Sequence, residues 1–228
     1  MLNDIDAVAF DVDGTLYPNY RFYLRVFPNA LSRLRLLAAF AGARRRIRQA
    51  GAVGDSFHDM QARLCAECLG TGKKTPGADA VRTLISKCIY ASWDDMFSGI
   101  KPFPYVKECL SSFKENGLKL ALLSDFPIGK KIACLGLSGL WNAELSSEEF
   151  GALKPHPLPF HRLAEALDLP PRRILYVGNS PAYDIAGAKN AGLIPALRCL
   201  FPRFPPRRGL EGIFAFNHYR QLQEYVLG

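Results

Sequence analysis

Residues Phe10 to Tyr20 read FDVDGTLYPNY. The run before Asp11, Ile5 to Phe10 (IDAVAF), is short, apolar and β-branched, the pattern of a buried strand. Asp11 and Asp13 therefore stand at a strand end. On an extended chain, positions i and i+2 point the same way, so both acids can face one ligand from one edge. Gly14 permits a turn after them, and Thr15 is placed to secure it by hydrogen bonding.

Working outward, strands and helices alternate. Helical spacing of apolar residues predicts helices over Tyr20–Gln49, Asp55–Leu69 (capped by Asp55 or Ser56) and Pro76–Phe97. GTGKKTPG reads as the loop between the last two. From Lys101 on, helices are expected over Pro102–Asn116, Gly129–Gly136, Pro157–Leu167, Ala182–Ala191 and Tyr219–Val226. Strands are expected over Lys119–Ser124, Ala143–Ser146, Arg173–Gly178, Ile194–Leu200 and Gly212–Phe216. FPRFPPRRG, residues 201–209, reads as a Pro/Arg-rich loop. The fold class is thus α/β: a Rossmann-like parallel sheet with helices on both faces, plus an inserted α-helical segment after the first strand. The expected division is 1–16 with 101–228 as the core domain and 17–100 as the insertion.

The chain has 228 residues, enough to bury a sizeable core, and 22% are charged. No stretch reaches the roughly 18 uncharged apolar residues that a membrane span needs. Acids stand where a signal peptide would carry lysines, so a cytoplasmic protein is expected. Six cysteines are too sparse for a disulfide scaffold. Cys65 and Cys68 form a CxxC on a helix, with no second pair at zinc spacing, and read as helix-packing residues. The net charge is +8, and it is unevenly spread. Leu16 to Ile100 holds 13 Lys and Arg against 6 Asp and Glu, a net +7, leaving +1 for the remainder.

In an open α/β sheet, ligands bind outside the carboxyl ends of the strands. Four polar groups fall at such ends: Asp11 with Asp13, Ser124 with Asp125, Lys154 in GALKPHP, and Asn179 with Asp184 in GNSPAYD. Each alone is unremarkable. A pair of acids caps helices, and GNS is often a plain turn. Four in succession point to one shared rim.

These motifs in this order resemble the haloacid dehalogenase-like hydrolase superfamily, over nearly the whole chain. The resemblance implies that Asp11 is a nucleophile that becomes an aspartyl phosphate. It implies that Asp13 protonates the leaving oxygen and later takes a proton from water. Ser124 and Lys154 would hold the phosphoryl group, and Gly14, Thr15 and Asp125 would border it. Magnesium would be held by Asp11, Asp13 (through its backbone carbonyl), Asp184 and Asn179. The chemistry explains the types: carboxylate meeting phosphate is anion meeting anion, and a hard cation with a lysine offsets the repulsion. The family's dehalogenases lack an acid at the second position, because halide leaves without a proton; Asp13 thus favours phosphoester chemistry. The chain departs from the family at Asn179, where aspartate is common, and at Asp125, where asparagine is common.

The insertion resembles an α-helical cap, which implies a small substrate closed off from water. The arginines at 44, 45, 46 and 48 read as a solvated helix face, while Arg21 and Arg25, near the hinge, are the candidates to meet an anionic substrate. The expected activity is magnesium-dependent hydrolysis of a small phosphorylated metabolite. No membrane is implied, no nucleic-acid module is visible, and oligomeric state leaves no sequence signal. A phosphotransferase or mutase, a dehalogenase, and a binding protein that kept the fold are the other readings.

Overall fold

A computed structural model describes residues 4–51, 57–70, 75–200 and 210–228. The first strand, β1 (Ala7–Phe10), is central. It pairs in parallel with β2 (Lys119–Ser124) on one side and β4 (Ile174–Gly178) on the other. Outside these lie β3 (Ala143–Ser146) next to β2, then β5 (Ile194–Arg198) and β6 (Phe214–Phe216) beyond β4. Every pairing is parallel, giving a six-stranded sheet in the order β3-β2-β1-β4-β5-β6.

The two-residue period of β1 builds two cores. Val8 and Phe10 join Leu120, Leu122, Leu175 and Val177 on one face, under α6 (Val106–Glu115) and α10 (Tyr219–Leu227). Ala7 and Ala9 join Ala121, Leu123, Ile174 and Tyr176 on the other face. This face is covered by α8 (Pro157–Leu167) and α9 (Ala186–Asn190). Strands buried on both faces read as continuous apolar runs, as these do.

Between β1 and α6 the chain is helical: α1 (Asn19–Ala30), α2 (Leu34–Ala50), α3 (Phe57–Leu69), α4 (Ala78–Ile85) and α5 (Ser92–Met96). Apolar residues of α2, α3 and α4 form a third cluster, and Leu153 of the sheet domain packs into it. The expected single helix over Tyr20–Gln49 is two helices, broken by a tight 3-10 turn at Leu31–Arg33. The break falls at Arg33, whose φ of −126° and ψ of 16° leave the helical region before α2 begins. The expected third helix is α4 and α5 joined by a wider π turn, Ser86–Ala91. Helix α6 starts at Val106 rather than Pro102, because Tyr105 takes a left-handed φ of 68° and the preceding prolines disfavour helix before them. The helix expected over Gly129–Gly136 is the single turn α7 (Lys131–Cys134). The proposed cap Asp55 or Ser56 and the 201–209 loop lie outside the described residues. Cys65 is buried in the third cluster, while Cys68 is exposed.

Candidate active site

Register places the site. Phe10 pairs with Leu122 and with Val177, so Asp11, Ser124 and Asn179 leave adjacent strands within two residues of the same level. The amide of Asp11 donates to the carbonyl of Val177 at 2.9 Å, which carries the ladder one step past the strand. Gly14 then turns with φ 89°; a Cβ there would strike the side-chain amides of Asn179 and Asn19. The Tyr219 hydroxyl donates to the Thr15 carbonyl at 2.6 Å and anchors this loop from α10.

Lys154 is the hub. Its Nζ lies 2.7 Å from Asp11 Oδ1 and 2.7 Å from Asp184 Oδ1, with all three residues buried. The hydroxyl of Tyr176 and the carbonyl of Leu123 complete its surroundings at 3.2 Å each. Burial opposes charge on this lysine, but Asp11 and Asp184 outweigh it and raise its pKa well above the ordinary value. Burial also pushes the Asp11 carboxyl up, to about 7, with Lys154 opposing and the Asp184 and Asp13 charges adding to the rise. The second oxygen of Asp11 accepts from the Thr15 hydroxyl at 2.8 Å, so Thr15 holds the carboxylate in place.

Asp13 has a different setting. Lys131 Nζ sits 3.0 and 2.9 Å from its two oxygens, the Tyr17 hydroxyl donates at 2.5 Å, and Ser124 Oγ is 3.4 Å away. Burial works against its ionisation, but Lys131 outweighs that and holds the carboxyl below its ordinary range. The buried Lys131 lies 5.3 Å from the Phe97 ring centre and 5.5 Å from that of Phe126.

Asp184 is delivered by a π turn, Pro181–Ile185, opened by the Ser180 side chain. Its Oδ2 accepts from the backbone amides of Asn179 at 3.1 Å and Ser180 at 2.9 Å. Gly178 makes this possible, since a Cβ at 178 would collide with the Asp184 side chain. Both oxygens of Asp184 are thus committed to protein donors. Asn179 points its amide at the Asp13 carbonyl, 3.2 Å away. Among the described residues, no group of three or more His, Cys, Asp or Glu side chains is arranged to hold a metal ion. The oxygens that do gather here are the Asp11 carboxylate, the Asp13 carbonyl and, once its amide turns over, Asn179. All are hard donors of the kind magnesium takes.

A model of the haloacid dehalogenase-like hydrolase family matches residues 5–192. The chain belongs to that family. Over 204 residues it is 30% identical to the glyceraldehyde 3-phosphate phosphatase of Methanopyrus kandleri, covering 83% of this chain and 82% of that protein. It is 28% identical over 231 residues to the phosphoglycolate phosphatase of Haemophilus influenzae, covering 97% and 98%. The fold matches the crystal structure of a 2-haloacid dehalogenase from Pseudomonas syringae pv. tomato with a TM-score of 0.70 at 20% identity, over 97% and 98% of the two chains. With its curated relatives named as phosphatases, the chain is an enzyme of the family's phosphatase branch. No helix among the described residues is long and apolar enough to cross a membrane.

Within this haloacid dehalogenase-like frame, the expected rim residues come together but the cap arginines do not. Arg21 is exposed, with its Nε 3.3 Å from the Tyr20 hydroxyl. Arg25 is exposed and donates to the carbonyls of Ser98 and Met96, tying α1 to the end of the insertion. The expectation of a solvated face at 44–48 also fails in half: Arg44 and Arg48 turn inward onto the sheet domain, while Arg45 and Arg46 stay exposed. Residues four apart share a helix face, so 44 and 48 go together and 45 and 46 lie off it. Asp125 does not face an open cleft. Its oxygens accept from the Lys154 amide at 3.0 Å and from Arg48 at 2.7 Å. Sequence reasoning missed Tyr17, Lys131 and Tyr176. Tyr17 sat four residues after Asp13 in the opening stretch and was a readable signal. Nothing in GKKIACLG distinguishes buried Lys131 from exposed Lys130.

Proposed function

We propose that the protein hydrolyses small phosphomonoesters through an aspartyl phosphate on Asp11. The observation that carries this reading is Lys154 Nζ held 2.7 Å from Asp11, with a second acid, Asp13, on the same rim in a separate lysine's field. Residues 1–16 and 101–228 serve as the core domain and 17–100 as its cap.

An oxygen of Asp11 attacks phosphorus, and the bond from phosphorus to the ester oxygen breaks. That oxygen leaves with a proton from Asp13. Asp13, ionised beside Lys131 in the free site, takes up a proton from solvent when the phosphate's negative charge arrives next to it. Asp13 then takes a proton from water as the water attacks phosphorus, and the bond from phosphorus to Asp11 breaks, releasing the Asp11 carboxylate and inorganic phosphate. Lys154 offsets the charge on Asp11 and on the transferring group, and Ser124 donates to a phosphoryl oxygen. Magnesium, held by Asp11, the Asp13 carbonyl and Asn179, would neutralise charge between carboxylate and phosphate. Asp184 joins that set only by giving up a present donor; its part here is to hold Lys154 and the 179–180 turn.

The substrate is a small phosphorylated metabolite. The relatives named for glyceraldehyde 3-phosphate and phosphoglycolate support that size. The test is phosphate release from those two compounds and from a wider panel, with magnesium and with EDTA. Asp11→Asn is expected to end turnover while the protein stays folded. Halide release from a 2-chloro acid without phosphate release would overturn the reading, as would a fully active Asp11→Asn protein.

A further inference from the structure

We propose that Arg48 of the helical insertion is a positioning residue for Lys154, acting through Asp125, and that Arg44 makes seating of the insertion and setting of the lysine one event. The inference rests on the role given to Lys154 in the proposed function.

Three groups form a closed ring. Asp125 Oδ1 accepts from the Lys154 amide at 3.0 Å. Asp125 Oδ2 accepts from Arg48 at 2.7 Å. Arg48 Nε donates to the Lys154 carbonyl at 3.0 Å. Both backbone polar groups of Lys154 are thereby fixed, one by each member of an ion pair whose halves come from different parts of the chain. One turn earlier on α2, Arg44 donates to the Asp125 carbonyl at 2.6 Å and lies 4.0 Å from the centre of the Phe126 ring. It also forms a buried ion pair with Glu148, which the Tyr90 hydroxyl shares at 3.0 Å. A single helix face therefore grips Asp125 by its side chain and by its backbone.

The ring explains why position 125 carries an aspartate. Two donors, the Lys154 amide and the Arg48 guanidinium, converge on it from opposite sides. A carboxylate accepts both. An asparagine has one acceptor oxygen and would turn its NH2 group toward one of them. With the insertion unseated, Asp125 loses Arg48, and the Lys154 backbone loses one of its two restraints. The Nζ between Asp11 and Asp184 moves with that backbone, and displacements near an ångström at a reacting centre are costly. Arg48 also lies 4.4 Å from the Tyr183 ring centre, one residue before Asp184. The same guanidinium thus touches the segments bearing both partners in the Lys154–Asp184 pair.

The experiment compares Arg48→Gln, Asp125→Asn, their double variant and Arg48→Lys. Arg48→Gln is expected to lower kcat roughly ten- to a hundredfold, with KM changing only a few-fold and by the same factor for every phosphomonoester tried. Asp125→Asn should match it, the double variant should be no worse than either, and Arg48→Lys should restore only part. A rise in KM that differs between substrates, with kcat kept, would mean that Arg48 reads the substrate and would overturn the proposal. A lower Tm with unchanged kcat would assign it a structural role only and would overturn it too. Hydrogen exchange at the Lys154 amide needs no turnover. It should quicken roughly tenfold in Arg48→Gln, and unchanged exchange sinks the proposal whatever reaction the protein catalyses. Absence of phosphate release by the unaltered protein would instead sink the proposed function and leave the exchange result standing.

Discussion

The strand rim and the helical insertion handle charge in opposite ways. At the rim, Asp11, Asp13, Lys154 and Asp184 stand in the loops that leave adjacent parallel strands, and each carboxylate meets donors carried by those same loops. In the insertion, four arginines from 44 to 48 divide by helix face alone. Arg44 and Arg48 are taken up by Glu148 and Asp125 of the sheet domain, and Arg45 and Arg46 remain outside. A sheet edge brings groups to a place defined by its own hydrogen bonds. A helix offers groups to whatever packs against it.

Replacing the hub should break the rim most. Lys154→Met leaves Asp11 and Asp184 buried without their shared cation, and we expect phosphatase turnover to fall by about 10³-fold or more together with a clear drop in Tm. Wild-type kcat in this variant would show that the rim does not work through Lys154. In the insertion, Arg44→Met strands the buried Glu148 and is expected to cost about 3–5 kcal/mol in urea unfolding. Adding Glu148→Leu should restore much of that loss. By contrast, Arg46→Ala removes an ion pair to Glu67 whose side chains are about half exposed, and should leave Tm where it was. Equal effects of Arg44→Met and Arg46→Ala would erase the distinction between the two faces.

Asn179→Asp sharpens the rim itself. A carboxylate beside the Asp13 carbonyl should tighten magnesium roughly tenfold in a titration of activity. It should also lower Tm in EDTA, since carboxylate and carbonyl then face each other without a cation. A smaller effect separates Asp11 from Asp125. The folded-state pKa of Asp125 is lowered: burial opposes this, but Lys154, Arg44 and Arg48 outweigh it. Its stabilising contribution is therefore full above 3.8 and is lost as pH falls through the lowered value. Asp11, raised to about 7, runs the other way: its contribution is present below 3.8 and is lost as pH rises through about 7. In metal-free protein, Asp125→Asn should flatten the acid side of the Tm–pH curve and Asp11→Asn the side between 3.8 and about 7.

The parallel sheet was legible because strands carry their own signature. IDAVAF, KLALLS and RILYVG are apolar runs of strand length, and polar residues stop each at the same rim. Four strand-end motifs located the candidate site for the same reason. The helix boundaries were less legible where prolines and wide turns intervened, at Leu31–Arg33, Ser86–Ala91 and Pro181–Ile185. Asp184 is instructive here. Its motif was visible, yet its two backbone donors and its bond to Lys154 arise from the turn's geometry.

By itself, the order of residues determined which groups stand at strand ends, because a two-residue period and a parallel sheet bring successive strand ends to one side. It also determined that Arg44 and Arg48 share a face. Only the tertiary structure decided what that face meets. Glu148 lies 104 positions from Arg44, and Asp125 lies 77 from Arg48. No local period spans such distances. Packing of α2 against the segments after β2 and β3 brought these charges together, and burial there is what makes pairing them obligatory.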